Sequence, residues 1–162
     1  MKVHFEELDQ ADDRAIARII RDNLENYHLD IPGTAYYDPE LDHLSTYYRK
    51  DNGKRAYFIL KDEDGKVLGG VGMADFPPVP TCAELQKLYL SDTVKGLGLG
   101  YKLMEKIESE AVKRGYTAMY LETHSNLEAA MHLYERAGYE LIDRPESVVH
   151  TTMDRFYYKQ LV

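Results

Sequence analysis

Two stretches of the chain repeat their hydrophobic positions with the period of an α-helix. Residues 12–26 place their apolar side chains on one helical face, and residues 99–111 repeat theirs every fourth position. The apolar positions in these two stretches are Ile16, Ile19, Ile20, Leu24, Leu99, Leu103, Ile107 and Ala111. Gly115 follows the second stretch as a helix stop signal. The pattern therefore predicts two amphipathic helices.

Other stretches have the shorter period or the turn signals of β-structure. Residues 55–76 predict a hairpin with strands Tyr57–Leu60 and Val67–Met73, joined through Asp62–Gly65. Further strands are predicted at 82–92, 117–123 and 153–161, with the rigid connection PPVPT at 77–81. Strands alternating with helices in this way are typical of an α/β domain with a mixed sheet.

The remaining segments complete a single domain over residues 1–162. Ser125 and Glu128 have the spacing of a capping box, which predicts a helix over Asn126–Ala137 that Gly138 ends. Residues 27–50 contain the breakers Pro32, Gly33 and Pro39, so we expect a loop and a short helix near Pro39–Tyr48.

Composition and charge narrow the class of partner. Hydrophobic residues make up 44% and charged residues 30%, which is typical of a globular domain, and no apolar run reaches the ~18 residues of a membrane span. The net charge of -8, without a Lys/Arg cluster, argues against nucleic acid. We expect no membrane partner and a cytoplasmic protein, since the N-terminus turns acidic at once and lacks the apolar run of a signal peptide. An acidic surface favours either a cationic partner such as an amine or solubility alone.

Glycine occupies every second position at 96, 98 and 100, directly before the second amphipathic helix. Bare backbone at a helix N-terminus can hold a phosphate group, because free N–H groups and the helix dipole face the anion. Neither familiar phosphate motif fits, since Tyr101 stands where the Walker loop needs Lys and the dinucleotide fingerprint needs Gly. A glycine turn packed against a neighbouring strand is the alternative.

The residues around these glycines resemble a known family. Lys95-Gly96-Leu97-Gly98-Leu99-Gly100 is similar to the Arg/Gln-x-x-Gly-x-Gly/Ala signature of the GNAT superfamily of N-acetyltransferases, with Lys95 in place of Arg or Gln. Residues 126–140 resemble the family's Asn-x-x-Ala-x-x-x-Tyr-x-x-x-Gly-Phe segment, with Tyr139 in place of Phe. The resemblance is good from about Ala83 to Glu140, and it implies a mostly antiparallel central sheet flanked by helices.

The resemblance also implies acetyl-CoA as co-substrate, with no metal and direct transfer to an amine of a small molecule or peptide. Backbone N–H groups of residues 95–100 would bind its pyrophosphate, and the Lys95 ammonium could add a charge contact. Strand backbone at Leu88, Tyr89 and Leu90 would bind the pantetheine arm as an added strand does. Homodimers are frequent in this family.

Glu84 and Tyr134 are the candidate catalytic residues. Glu84 begins the strand before the glycine segment, where several family members carry a base carboxylate. It could instead anchor a cationic acceptor or be a surface charge. Tyr134 matches the family's tyrosine near the CoA sulfur and would act as general acid, or it could be a packed core aromatic. The amide of Asn126 could reach the pantetheine arm or the water of the base, and helix capping explains it equally well.

Other reactive residue types point to structure rather than chemistry. Cys82 is the only cysteine, and no Lys, Arg or His flanks it to lower its pKa, so we expect a buried structural thiol. The six histidines lack metal-ligand spacing, and His124 alone lies near the predicted site, as a loop residue. Tyrosines and carboxylates interleave over 36–48 on the side that the family uses for the acceptor, which suits a cation or a solvated acidic face.

Two other classes of function compete with the enzyme. A non-catalytic acyl-CoA-binding or sensing module would keep residues 95–100 and lose the acid and base, so Glu84 and Tyr134 argue against it. A protein-interaction adaptor would not need the glycine loop. The acceptor depends on the early loop and on residues 144–154, neither of which has a readable pattern.

Overall fold

A computed structural model describes residues 1–49, 53–148 and 150–162 of the chain, and within them one seven-stranded sheet with helices on its faces. The strands are β1 (Val3–Glu7), β2 (Ala56–Asp62), β3 (Val67–Asp75), β4 (Cys82–Leu90), β5 (Ala118–Thr123), β6 (Glu140–Ile142) and β7 (Arg155–Gln160). The α-helices are α1 (Asp13–Asn26), α2 (Leu44–Arg49), α3 (Leu99–Lys113) and α4 (Glu128–Arg136).

The strand order in the sheet is β1-β2-β3-β4-β5-β7-β6. Every neighbouring pair is antiparallel except β4 with β5, which run parallel. The predicted fold class is therefore confirmed as a mixed, mostly antiparallel sheet flanked by helices.

The helical periodicity is correct for both long helices. In α1 the side chains of Ile16, Ile20 and Leu24 are buried, and in α3 the whole predicted stripe is buried. α3 ends at Lys113, and Gly115 has a φ of 91°, the left-handed conformation that glycine adopts without strain.

The predicted hairpin and the strands near 82–92, 117–123 and 153–161 are all present, but the sequence did not indicate β1 or β6. Both lie at edges of the sheet, where one side is unpaired. β6 has three residues, all exposed, and β1 is half exposed. Such short edge strands bury too little apolar surface to leave an alternating signal.

The predicted capping box at Ser125 and Glu128 is wrong. α4 begins at Glu128 after Leu127, with no side-chain cap, and it ends at Arg136. Ser125 instead bonds to Asp154 near the start of β7: its backbone N–H and its hydroxyl donate to the two carboxylate oxygens, each at 2.8 Å. Ser125 therefore binds Asp154, which is distant in sequence, instead of capping α4 as the local pattern predicted.

Buried side chains fill both faces of the sheet. One core spans β2 to β5 beneath α3 and α4, and α1 with α2 covers the opposite face of β2 and β3. A smaller cluster around Phe76, Tyr120 and Phe156 covers β5 and β7 on the α1 side.

The sheet opens between its two middle strands. β4 pairs with β5 only from Cys82 to Glu84, although β4 continues to Leu90. Its ladder with β3 shifts register between Gly70 and Gly72, and Lys87 at this bulge has a φ of 50°. The Tyr57 hydroxyl donates to the Lys87 carbonyl at 2.7 Å, which holds the bulge from inside the core.

Candidate active site

A cavity of about 1400 Å³ follows the gap between β4 and β5. One end is formed by the start of α3, the middle by β4 and α4, and the other end by the loops before α2 and before β7. The cavity therefore joins the glycine segment to the candidate base and acid in one continuous space.

The glycine segment presents bare backbone to this cavity. Gly96 and Gly98 have φ values of 80° and 76°, and Gly98 is the N-cap of α3. A Cβ added at either position would meet no atom within 4 Å, so the space beside them is open. The first-turn N–H groups of a 15-residue helix begin here, which is the arrangement that binds phosphate.

Gly100 is glycine for a different reason. A Cβ there would lie 3.0 Å from Cδ2 of Leu133, so the missing side chain lets α4 approach α3 closely. Close packing therefore accounts for Gly100, although against helix α4 and not against a strand, and the phosphate cradle at Gly96 and Gly98 stays a prediction.

The edge of β4 that faces the cavity is not paired beyond Glu84. Leu88, Tyr89 and Leu90 line the cavity there, while β3 holds the other edge of the strand. The Leu90 carbonyl accepts a hydrogen bond of 2.9 Å from Nδ2 of Asn23. Apart from that carbonyl, the backbone of this edge is open to an extended ligand in the way that a strand adds to a sheet.

Glu84 is the last β4 residue paired with β5, and its carboxyl lies at the point where the strands part. Burial raises the pKa of Glu84 to about 7, with a further contribution from the neighbouring carboxylate of Glu122. Nε2 of Gln86 donates to Glu84 at 3.1 Å, and the Tyr48 hydroxyl donates to Gln86 at 2.8 Å. A carboxyl half ionised near neutral pH is suited to accept a proton.

Charged side chains from three other segments surround this carboxyl. Asp38 accepts from the Lys87 ammonium at 2.7 Å and lies 2.8 Å from Nε2 of His150. Nδ1 of His150 lies 3.4 Å from Glu122. The hydrogen bond to Asp38, and then the contact with Glu122, raise the pKa of His150 to about 9.

Tyr134 stands on α4 with its side chain 5% exposed, and it lines the cavity. Its ring packs against Tyr139 and Tyr157, with centroids 6.2 and 6.0 Å away. Burial raises the pKa of its phenol well above the ordinary value, so the hydroxyl keeps its proton at neutral pH.

The cavity walls include most of the predicted site residues. Both catalytic candidates line it, as do seven of the cofactor candidates: Leu88, Tyr89, Leu90, Lys95, Gly96, Gly98 and Gly100. Leu97 is an exposed side chain, Leu99 is buried beneath α3, and neither lines the cavity. Asn126 does not line it either, and its amide donates to the Tyr27 carbonyl at the end of α1 at 3.0 Å. Any role of Leu97 or Leu99 through the backbone stays a prediction.

Sequence reasoning missed Glu122 and His150. The sequence contained one signal for Glu122: it is a charged residue within a predicted strand, and it lies two residues after Tyr120, on the same face of that strand. His150 had no local signal, since its partner Asp38 is 112 positions away.

The thiol of Cys82 is buried, and burial raises its pKa to about 11, as expected for a structural thiol. Within residues 1–49, 53–148 and 150–162, no three His, Cys, Asp or Glu side chains are grouped so as to hold a metal ion. Nor does any helix of those ranges combine the length and apolar character needed to cross a membrane.

Known proteins share both the sequence and the fold. The sequence model of the acetyltransferase (GNAT) family matches residues 19–139. The Escherichia coli K12 protein named uncharacterized N-acetyltransferase YjgM is 37% identical over 134 residues, covering 82% of this chain and 78% of that protein. The probable N-acetyltransferase camello of Xenopus tropicalis is 32% identical over 123 residues, covering 74% of this chain and 55% of that protein.

Two solved structures share the fold at lower identity. A GNAT-family acetyltransferase from Staphylococcus aureus Mu50 has a TM-score of 0.86 at 19% identity, covering 99% of this chain and 100% of that chain. The putative acetyltransferase yncA from Salmonella typhimurium, solved with acetyl-CoA, has a TM-score of 0.76 at 22% identity, covering 100% and 95%. With the sequence match over most of its length, the chain belongs to the acetyltransferase (GNAT) family and is an acetyl-CoA-dependent N-acetyltransferase.

Proposed function

We propose that the protein transfers the acetyl group of acetyl-CoA directly to a primary amine of a small molecule or peptide, with Glu84 as base and Tyr134, the candidate acid, as hydrogen-bond donor to the departing sulfur. One observation carries the proposal: a carboxyl with a pKa of about 7 and a protonated phenol line the cavity that also contains the bare glycine backbone.

Acetyl-CoA binding in this proposal depends on backbone rather than side chains. The pyrophosphate lies against the N–H groups of residues 95–100, where Gly96 and Gly98 leave open space. The pantetheine arm runs along the unpaired edge of β4 at Leu88–Leu90, which brings the thioester toward the point where β4 and β5 part.

The acceptor arrives as an ammonium ion and loses its proton to Glu84, directly or through one water. The neutral nitrogen attacks the thioester carbonyl carbon, a C–N bond forms, and the C–S bond breaks with its electron pair on sulfur. The nitrogen, positively charged after the attack, gives its extra proton to solvent water, and CoA leaves as the thiolate, which takes a proton from water after release. Tyr134 donates a hydrogen bond to that sulfur. Because its raised pKa makes the phenol a weaker acid than a thiol, a strong hydrogen bond fits this site better than complete proton transfer.

The acceptor end of the cavity suits a cationic substrate. Five carboxyls line the cavity away from the glycine segment, Asp38, Glu40, Asp75, Glu84 and Glu122, against the four cations Lys54, Arg55, Lys87 and His150. The ring of Tyr47 lines the same end, and the Arg55 guanidinium carbon lies 4.1 Å from its centroid, so one cation already occupies an aromatic face there. The excess of one carboxyl favours a positively charged amine over a neutral acceptor.

The test measures CoA thiol release from acetyl-CoA with a panel of mono- and diamines, for the wild type and for Glu84→Gln. We expect amine-dependent release in the wild type and a loss of roughly 10²-fold or more in the variant at neutral pH. The alternative, a non-catalytic acyl-CoA-binding or sensing module, predicts calorimetric binding of acetyl-CoA with no amine-dependent release. Amine-dependent release with unchanged kcat in the variant would overturn the role of Glu84.

Four further points stay predictions: the cytoplasmic location, the absence of nucleic-acid and membrane partners, homodimer formation, and the single domain over residues 1–162. The single free cysteine, Cys82, supports a reducing compartment. Cell fractionation and light scattering would test the location and the dimer.

A further inference from the structure

Glu84 and Glu122 face each other where β4 and β5 part. Glu84 is paired with Tyr120, and Glu122 stands two residues further along β5, on the same face of the sheet as Tyr120. The Tyr120 hydroxyl donates to Oε2 of Glu122 at 3.0 Å, so that oxygen is held in place. Both carboxyls line the cavity, and the side chain of Glu122 is only 10% exposed.

His150 contacts Glu122 and links it to Asp38. It comes from the loop between β6 and β7, and its two ring nitrogens lie 3.4 Å from Oε1 of Glu122 and 2.8 Å from Oδ1 of Asp38. With a carboxylate at each nitrogen, the doubly protonated ring is favoured, and His150 stays charged while Glu84 titrates near neutrality.

Several other titratable or charged groups interact with Glu84 or line the cavity beside it. They are Tyr120 and Glu122 of β5, Lys87 and the protonated Cys82 thiol of β4, Asp75 at the end of β3, Tyr47 and Tyr48 of α2, and Asp38, Glu40 and His150 of the loops. Lys87 is already neutralised by Asp38 at 2.7 Å and Glu40 at 3.7 Å, and the phenols stay neutral near pH 7. Glu122 and His150 are therefore the charges whose removal most directly changes the field at Glu84.

We propose that Glu122 and His150 are positioning residues for the base: the Glu122 carboxylate makes Glu84 a stronger base by like-charge repulsion, and the His150 imidazolium anchors Glu122 and limits that repulsion. The role in catalysis rests on the proposed function, in which Glu84 takes the proton of the acceptor. The electrostatic relationship among the three side chains does not depend on it.

The two residues act in opposite directions, which separates this proposal from a purely structural role. Without the charge of Glu122, Glu84 holds its proton less tightly and becomes a weaker base. Without the charge of His150, Glu84 feels the full repulsion and holds its proton more tightly. A loop that merely loosened would move the titration of Glu84 the same way in both variants, toward the value of an exposed carboxyl.

The experiment is a ¹³C NMR titration of the glutamate carboxyls in the unliganded protein, with the Glu84 signal assigned by its loss in Glu84→Gln. We expect a midpoint near 7 in the wild type, about one pH unit lower in Glu122→Gln and about one unit higher in His150→Gln. Glu105→Gln, an exposed carboxyl on α3, is the matched control and should leave the midpoint unchanged. An unchanged midpoint in either variant, or a downward shift in both, would overturn the proposal.

Kinetics then tests the catalytic part separately. The acidic limb of kcat/KM should follow the NMR midpoints, lower for Glu122→Gln and higher for His150→Gln, since the ionisation of the acceptor amine is common to all variants. If the NMR midpoints move as expected but the acidic limb of the kcat/KM profile does not, Glu122 and His150 still control the ionisation of Glu84, but Glu84 is not the base. If each variant is folded and the midpoints do not move, this inference fails whatever the activity.

Discussion

The ammonium of Lys95 lies 2.7 Å from Oδ1 of Asp92, three residues before it in the chain. The same nitrogen lies 5.2 Å from the centroid of the Tyr27 ring. The one cation of the glycine segment is therefore compensated before any anion arrives. A pyrophosphate that used this charge would have to compete with Asp92, so we expect the backbone amides to supply most of the binding.

The first prediction uses both partners of this ion pair. Lys95→Met should raise the Kd for CoA only about threefold, because an exposed, already paired charge contributes about 0.2–1 kcal/mol. Asp92→Asn frees the ammonium and should lower the Kd by a similar factor. Isothermal titration calorimetry at low salt measures both. Equal weakening in the two variants would show that Asp92 matters by shaping the loop.

Gly98 is the position where a side chain should damage CoA binding most. Gly98→Val places a branched side chain in the open space beside the start of α3, and we expect the Kd for CoA to rise at least tenfold, ~1.4 kcal/mol. The left-handed φ also costs about 1–2 kcal/mol of stability.

Gly115→Val is the matched control for Gly98→Val. Gly115 has the same left-handed conformation and open surroundings, but it lies at the far end of α3, away from the cavity. Both variants should lose similar stability in urea denaturation, and only Gly98→Val should lose CoA affinity. Parallel losses of affinity would mean that strain, and not the cradle, explains the effect.

Tyr134→Phe should leave stability and CoA binding nearly unchanged and lower kcat by ~10²–10³-fold, because it removes one hydrogen-bond donor to the negative charge that develops on sulfur. The variant removes only the hydroxyl, which makes no hydrogen bond to any residue in the described part of the chain, and the ring still fills the core. Steady-state kinetics at saturating acetyl-CoA gives the comparison.

Tyr157→Phe is the control for this variant, because Tyr157 packs on Tyr134 and lies outside the cavity. Its hydroxyl donates to Glu135 at 2.9 Å, so its loss should cost about 0.5–1.5 kcal/mol of stability without changing kcat. A wild-type kcat in Tyr134→Phe would assign Tyr134 to packing alone.

Glu84 should make the stability of the protein depend on pH in a predictable direction. Its pKa is about 7 in the folded protein, above the ordinary value of 4.5 that applies when the chain unfolds. Between these values the unfolded chain releases the proton first, so the contribution of Glu84 to stability is present below pH 4.5 and is lost as the pH rises through 7.

Glu84→Gln lacks this ionisation, so its stability relative to the wild type should increase between pH 4.5 and 7 and then stay level. The gain is at most about 3 kcal/mol, from 1.36 kcal/mol per pKa unit. Denaturant unfolding at several pH values measures it, with Glu105→Gln as a control that should show no such trend. A relative stability that is constant with pH would mean that Glu84 titrates as an ordinary exposed carboxyl.

The parts of the fold that the sequence predicted are those with a strong local pattern. The stripe of α3, the hairpin of β2 and β3 and the glycine stop at Gly115 each follow from neighbours a few residues apart. β6 could not be predicted, because its three residues are exposed and gain their structure only by pairing with β7. Ser125 was misassigned for the same reason, since Asp154, its partner, comes 29 residues later.

The candidate site also has one part that the sequence could predict and one part that it could not. The glycine segment and the strand before it are contiguous in sequence, so motif and resemblance led to Gly98 and Glu84. The groups around Glu84 come from six separate segments of the chain: β3, β4, β5, α2, the loop before α2 and the loop before β7. Glu122 and His150 meet near Glu84 only because the sheet and the loop after β6 bring them there.

The parting of β4 and β5 leaves the sheet as two leaves joined through three residue pairs, from Cys82 to Glu84 with Ala118 to Tyr120. An ordinary sheet is continuous because each interior strand is hydrogen-bonded to a neighbour on both sides along its length. Here a pantetheine arm in the gap would occupy the place of a missing strand, so the co-substrate would complete the architecture as well as supply the acetyl group. Loading and release of acetyl-CoA would then amount to closing and reopening a seam through the middle of the molecule.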